Sequence, residues 1–504
     1  MLSCFCCLHK TLSKHFFTKK GFKKSQSYDI IVKGDYMKYK IIENINPNIF
    51  RGYDIRAIYG KDLDENVAYT IGLAYGKYIK RNGYDRCVIG RDNRTSSLPL
   101  STALIQGIVE GENIEVVDIG LVTTPMYYYG QIFLNDGKNI MPGIMITASH
   151  NPKEYNGLKM TVNDFGNACG QMIQDFRVFV ENNAKEELNK ERNILGKIVE
   201  EDIKAGYLKL IKDSIDLGNR KIKVVVDTAN GTASIIAKEI FDMFKDKIEM
   251  IPLYMESDPE FPNHHPDPSV EANNADLKKA VIANNADLGV GIDGDGDRLG
   301  VIDENGNMIF ADYLAIIVWR SIMDKVQNKK ALFDVKCTKS LADEIIKLGG
   351  EPVCYRTGNS YMKAKMRDGD FAFGTELSGH VWFRDKWPNI DDGLYNSLRL
   401  IEILSKTNKS VTELLEGINK YYSTPEIIIK SSDDAKFEII EKIKNYCLDK
   451  GYKINDIDGV RAEFDNGWAL VRASNTGPNI TARFEGKTEE DMKEIENEFM
   501  SLLK

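Results

Sequence analysis

The chain predicts a multidomain α/β fold, and three observations carry that expectation. Short apolar runs that read as buried strands, Gly143 to Ile146, Lys223 to Val226, Leu288 to Ile292 and Ala331 to Phe333, each lead into polar residues. Helical patterns alternate with such strands, as in α/β domains. A length of 504 residues gives roughly three or four domains. Composition agrees: 42% hydrophobic and 28% charged residues indicate neither disorder nor a fibre.

Residues 1–36 are basic (Lys10, Lys14, Lys19, Lys20, Lys23, Lys24, Lys33), opposed by Asp29 and Asp35. No period is evident there, so residues 1–40 are assigned to an N-terminal extension. Disorder, a transit peptide without arginine, and an alternative start at Met37 all stay open for it. Boundaries near 195, 307 and 415 divide the rest into 41–195, 196–307, 308–415 and 416–504.

The folded part is expected from Phe50, as a strand-and-loop signal through Arg56. A helix follows with Val67, Ile71, Ala74, Tyr75 and Tyr78 on one face, and Asp62 with Glu65 resembles its capping box. Cys87 to Ile89, ending in Gly90-Arg91-Asp92, and Glu115 to Ile119 read as the next strands. The last block mixes helical patterns with strands Val460 to Phe464 and Ala469 to Arg472.

A net charge of -8 and a pI near 5.6 argue against a general nucleic-acid binder. No run approaches 18 apolar residues, so no membrane span is expected. Cys4, Cys6 and Cys7 crowd the N-terminus, and Cys87, Cys169, Cys337, Cys354 and Cys447 are scattered without a disulfide framework. A reducing, cytoplasmic compartment fits. Cys4-Phe5-Cys6-Cys7 with His9 lacks four-ligand zinc spacing.

Ser149 follows an apolar strand and precedes Asn151-Pro152, so it belongs at a strand end. It is either a reactive hydroxyl facing a cleft or a turn residue bonding its own backbone. A hydrolase pair with His150 is set aside, because neighbouring side chains on extended backbone point apart and G-x-S-x-G is absent.

Asp293-Gly294-Asp295-Gly296-Asp297-Arg298 alternates carboxylates with glycines that let the loop curl, which suits one divalent cation, naturally magnesium. An EF-hand would need glycine where Arg298 stands. Gly289-Val290-Gly291-Ile292-Asp293-Gly294 matches a dinucleotide fingerprint, but an acidic loop follows it. Glu376, Ser378 and His380 lie two apart, so an extended segment would put them on one side to grip vicinal hydroxyls; a solvated strand end is the alternative. Asp391-Asp392 reads as a helix start. Arg472-Ala473-Ser474-Asn475-Thr476-Gly477-Pro478 suits a phosphate dianion, or is an ordinary turn.

In this order, Tyr53-Asp54-Ile55-Arg56, Thr147 to Pro152, Asp293 to Arg298, Glu376 to His380 and Arg472 to Thr476 resemble the α-D-phosphohexomutase superfamily, in its phosphomannomutase/phosphoglucomutase branch. The resemblance implies three similar α/β domains with mixed sheets and a smaller C-terminal α+β domain, heart-shaped around a central cleft. It implies that Ser149 is a phosphoserine passing a phosphoryl group to and from sugar phosphates through a hexose 1,6-bisphosphate. Asp293, Asp295 and Asp297, with the Ser149 phosphate, would hold one Mg²⁺. Arg56, Lys159 and Arg298, with His150 of the serine motif, would form the catalytic set. Glu376 and Ser378 would bind sugar hydroxyls, with Lys336, Gly358, Asn359 and His380 completing the pocket, and Arg472, Ser474, Asn475 and Thr476 would bind the distal phosphate on a hinged last domain.

Two positions depart from the branch: Asn359 stands in a Gly-His-Ser loop where histidine is expected, and Thr375 stands where glycine is usual. Asparagine keeps hydrogen bonding but carries neither proton nor charge at neutral pH. The expected activity is interconversion of hexose 1- and 6-phosphates of mannose and/or glucose, by a monomer or weak homo-oligomer without nucleic-acid or membrane partners. A phosphoglucosamine mutase and a non-catalytic sugar-phosphate-binding paralogue are the rivals.

Overall fold

The computed structural model describes residues 38–137, 139–163, 166–432, 435–474, 477 and 479–503. The basic extension through Met37, its cysteines and His9 lie outside them. Four sheets form the framework. The first runs Ile55–Ile58, Tyr155–Thr161, Gly143–Ile146, Arg86–Arg91, Glu115–Leu121, Lys197–Glu200 across its width. The second runs Met308–Ile309, Leu299–Ile302, Leu288–Ile292, Ile222–Asp227, Ile248–Leu253, and the third Glu351–Tyr355, Lys330–Asp334, Phe373–Thr375, Val381–Phe383.

One pattern repeats in all three. Gly143–Ile146, Leu288–Ile292 and Phe373–Thr375 each pair in parallel with an earlier strand on one side. On the other side each pairs antiparallel with the strand that returns next in sequence. The turn after each is therefore the carboxyl end of a central strand, where ligands of α/β sheets gather. Those turns carry Ser149, Asp293 and Glu376.

The last sheet is antiparallel throughout, centred on Gly467–Ala473 and Asn479–Gly486 and backed by helices Ala435–Asp449 and Glu489–Leu502. Its core, built on Val460, Ala469, Val471, Ile480, Phe484 and Phe499, is separate. One continuous apolar cluster runs instead from Val88 and Tyr127 through Val226 and Trp319 to Leu398, joining the first three sheets. The last domain meets the third through a small buried apolar cluster of Val335, Trp468 and Leu470 and through polar contacts: Arg461 Nη1 donates to the carbonyls of Val335 (2.6 Å) and Cys337 (3.0 Å), and the Lys339 amide donates to Glu485 (2.8 Å). Interfaces of this kind ordinarily permit relative motion.

Two local expectations are corrected. The helix Glu65–Arg81 starts on Asp64, whose carboxylate accepts from the Val67 amide, not on an Asp62–Glu65 box. The strand read from Cys87 starts one residue earlier, at Arg86, and runs into its polar end as far as Arg91, where Gly90 and Arg91 pair with Met145 and Ile146. Among the described residues no helix is long and apolar enough to cross a membrane.

Candidate active site

Ser149 lies one turn beyond its strand, with φ 53°, and its amide donates to Thr147 Oγ1 at 2.8 Å. This left-handed backbone overturns the expectation that Ser149 and His150 point apart: Ser149 Oγ stands 3.2 Å from His150 Nδ1. Burial and nearby Arg298 push the His150 imidazole well down, so it is neutral. Its Nε2 reaches only to 4.0 Å from Asp267, too far for a hydrogen bond. Arg56 holds the loop, Nη1 donating to the Ala148 carbonyl and to Asn151 Oδ1, both at 2.9 Å.

The aspartate loop of the second domain closes on this turn. A Cβ at Gly294 would stand 2.5 Å from the Ser149 carbonyl oxygen, so only glycine allows the approach. Ser149 Oγ then donates to Asp293 Oδ2 at 3.1 Å. Asp293 Oδ1 accepts the Gly296 and Arg298 amides. Asp295 Oδ2 accepts three donors from the first domain, Thr124 (2.6 Å), Thr147 (3.1 Å) and Lys159 (2.8 Å), and Lys159 also reaches Asp297.

Asp293, Asp295 and Asp297 are all fully buried, with one oxygen of each inside a 4.8 Å cluster. Asp295 Oδ1 and Asp297 Oδ1 have no hydrogen-bond partner. Burial together with Asp297 and Asp295 pushes the Asp293 carboxyl well up. Two orphaned oxygens among three buried carboxylates, facing one ammonium, is a donor set that fits a hard divalent cation.

Glu376, Ser378 and His380 do not share one side of an extended segment. They form the hairpin turn between Phe373–Thr375 and Val381–Phe383, with Glu376 N donating to the His380 carbonyl (2.9 Å) and Gly379 at φ 95°. Glu376 Oε1 accepts the Gly358 amide (2.6 Å) and Oε2 the Ser378 hydroxyl (3.2 Å). The turn sends His380 the other way, where its Nε2 accepts from Arg298 Nε at 3.1 Å and its Nδ1 faces Asp391 Oδ2 at 2.9 Å. Asn359 joins the same carboxylate through Nδ2. Asp392, next in sequence, caps the helix Gly393–Ser405.

Farther along the cleft, Lys336 Nζ lies 3.4 Å from Glu426. Arg472 donates through Nε (2.9 Å) and Nη2 (3.3 Å) to Asp458, whose Oδ2 also accepts the Thr357 amide (2.9 Å) beside Gly358. The Ser474 carbonyl accepts from Lys436 Nζ at 2.9 Å. Asn475 and Thr476 lie outside the described residues.

Family models match in the same order: phosphoglucomutase/phosphomannomutase alpha/beta/alpha domain I over residues 47–187, domain II over 205–306, domain III over 310–421, and the C-terminal domain over 426–502. The chain belongs to the phosphoglucomutase/phosphomannomutase family. It is 40% identical over 457 residues to a phosphomannomutase/phosphoglucomutase of Pseudomonas aeruginosa, covering 91% of this chain and 96% of that one. A phosphoglucomutase of Neisseria gonorrhoeae is 36% identical over 462 residues, 91% and 97% of the two chains. A crystal structure of a phosphoglucomutase/phosphomannomutase family protein from Burkholderia thailandensis superposes with TM-score 0.82 at 35% identity, covering 91% and 98%. As a member of this family the protein is a phosphohexomutase, an isomerase of carbohydrate metabolism.

Three residues of this phosphohexomutase escaped the sequence reading. Arg94 clamps the serine turn, donating to the carbonyls of Ser149, Asn151 and Pro152, each at 2.7 Å. Its signal was a basic residue just past a strand end. Asp458 and Lys436, which hold Arg472 and the following loop, sit at a turn and a helix start with no local mark of their partners.

Proposed function

We propose that the protein interconverts hexose 1-phosphate and hexose 6-phosphate, of mannose and/or glucose, through a phosphoryl group carried on Ser149 and a hexose 1,6-bisphosphate. The observation that supports this best is the placement of Ser149 Oγ 3.1 Å from Asp293 Oδ2, inside a carboxylate cluster with two unpartnered oxygens. Asp293, Asp295 and Asp297 would hold Mg²⁺, which when bound offsets charge on a transferring phosphoryl group.

The chain's own residues then divide the work. Arg56 and Arg94 hold the serine turn, and Lys159 keeps Asp295 and Asp297 in place from the first domain. Arg298 supplies fixed positive charge beside the serine, where a preorganised cation stabilises the charge that builds on the phosphoryl oxygens. Glu376 and Ser378 take sugar hydroxyls, and Arg472 with Ser474, Asn475 and Thr476 takes the far phosphate. A half-turn of the bisphosphate exchanges its two ends, which a mobile last domain accommodates. We place the reaction in the cytoplasm, where reducing conditions keep thiols such as Cys87, Cys337 and Cys447 free.

The test is intact mass before and after treatment with glucose 1,6-bisphosphate, with the modified peptide mapped. One added phosphoryl group on Ser149 is expected, and phosphate on another residue rejects the assignment. Rates on the 1-phosphates of mannose, glucose and glucosamine decide the sugar: highest turnover of the glucosamine substrate would replace this reading by a phosphoglucosamine mutase.

A further inference from the structure

We propose that Asp391 is a positioning residue of the active site, fixing the tautomer of His380 and, through that imidazole, aiming the guanidinium of Arg298. The kinetic arm of this inference rests on the mutase reading above; its spectroscopic arm does not.

At Arg298 the direction of the bond is fixed. A guanidinium has five N–H donors and no acceptor. Its Nε donates to His380 Nε2 at 3.1 Å, so that nitrogen must carry the lone pair. The imidazole proton then belongs on Nδ1, which faces Asp391 Oδ2 at 2.9 Å, and a carboxylate is an acceptor only. His380 is buried and stacks on Trp382 with ring centroids 5.7 Å apart and planes 14° apart, which fixes its orientation. An antiparallel bridge joins Arg298 and His380 through the backbone, and the Arg298 amide is held by Asp293 Oδ1. With Nε committed, the two terminal nitrogens of Arg298 are the ends left to meet an anion beside Ser149.

Asp391 is itself held as a carboxylate. It is fully buried, Oδ2 accepts from Asn359 Nδ2, and Oδ1 pairs with Lys363 Nζ at 2.7 Å. Lys363 lies one helical turn beyond Asn359 on the helix Asn359–Asp368, with its ammonium 3.0 Å from the centroid of the Tyr128 ring. Burial works against the Asp391 charge, but Lys363 and His380 outweigh it and hold the carboxyl far below the usual range. Asparagine at 359 thus adds a neutral donor to a carboxylate whose charge Lys363 already offsets.

An amide at 391 would lack this arrangement. It has one acceptor oxygen, and the Lys363 amine that already faces Oδ1 takes it as a donor. The amide NH₂ then faces His380 Nδ1 and drives the proton to Nε2, against the Arg298 N–H.

The experiment is ¹⁵N imidazole NMR on the metal-free full chain, with the His380 signals identified by their loss in His380→Gln. Wild type is expected to show Nδ1 protonated and Nε2 bare; Asp391→Asn is expected to invert this. In the same variant kcat should fall by roughly one to three orders of magnitude with KM within about threefold, the size of losing a preorganised charge or tautomer. An unchanged tautomer in Asp391→Asn overturns the proposal even if kcat falls, since that is a merely structural loss. An inverted tautomer with wild-type kcat overturns the aiming of Arg298. If Asp391→Asn does not fold, the wild-type spectrum still decides, because a protonated Nε2 contradicts the chain at its first link. Absence of mutase turnover in wild type would fail the functional reading alone.

Discussion

Around Ser149 the polar groups are met from across a domain boundary: Asp295 Oδ2 alone takes Thr124, Thr147 and Lys159, and the Ser149 hydroxyl itself turns to Asp293. Around Arg472 the guanidinium is returned to Asp458 of its own domain, and the third domain is reached there through the Thr357 amide on Asp458 and through Lys336 beside Glu426. The first end shares a large continuous apolar core with its neighbours; the second has a core of its own and shares only the small cluster of Val335, Trp468 and Leu470. On the proposed reaction, the denser cross-domain contacts lie where charge would move, and the end with its own core is the one that would grip a phosphate in either of two orientations.

The largest effect should come at the serine end. Ser149→Ala should abolish phosphoryl loading by the bisphosphate and lower kcat by at least roughly 10⁴, as removal of a nucleophile does. Full turnover by this variant would break the comparison at its centre. Asp295→Asn removes a candidate metal oxygen and an acceptor for three cross-domain donors at once. A fall in kcat of roughly 10²-fold is expected, with a higher Mg²⁺ concentration for half-maximal rate.

Arg472→Ala tests the gripping end and should behave differently. KM should rise by roughly 10- to 100-fold with a smaller change in kcat, because a charge-assisted anchor held alike in ground and transition state contributes uniform binding. A kcat loss as deep as that of Asp295→Asn, at unchanged KM, would mean that the two ends are not distinct.

What could be read from the chain follows the same division between local and distant causes. Gly143–Ile146, Leu288–Ile292 and Val460–Phe464 have the bounds the sequence suggested, since the first two are apolar runs and the third alternates apolar with charged residues, each stopped by polar residues. The ordered motifs led to the family. Ser149 in left-handed backbone was not legible, because no glycine or asparagine announces it and the conformation is imposed by Arg94, Arg56 and Thr147. The hairpin at Glu376 to His380 was hidden for a related reason: two-residue spacing is equally that of a strand, and the deciding contact is a backbone bond across the turn. Lys363 and Asp391, 28 residues apart by number, meet only after folding.

Asp391 and Asp392 offer the finest contrast, two adjacent buried carboxyls with opposite fates. Lys363 and His380 keep Asp391 charged, whereas burial pushes Asp392 up to about 7 despite donors from Tyr207 (2.6 Å) and the Tyr395 amide (3.0 Å). Unfolded, Asp392 would titrate near the ordinary aspartate value of about 3.9. Between those values the folded state binds the extra proton, so this group's contribution to stability is full below about pH 4 and is lost as pH rises through about 7. Asp392→Asn mimics the protonated form and keeps an acceptor for the helix cap. Urea unfolding should therefore show the variant matching wild type near pH 4 within about 1 kcal/mol and exceeding it by about 3–4 kcal/mol near pH 8. An equal difference at both pH values would mean that Asp392 is ionised throughout, and the two carboxyls would then be alike.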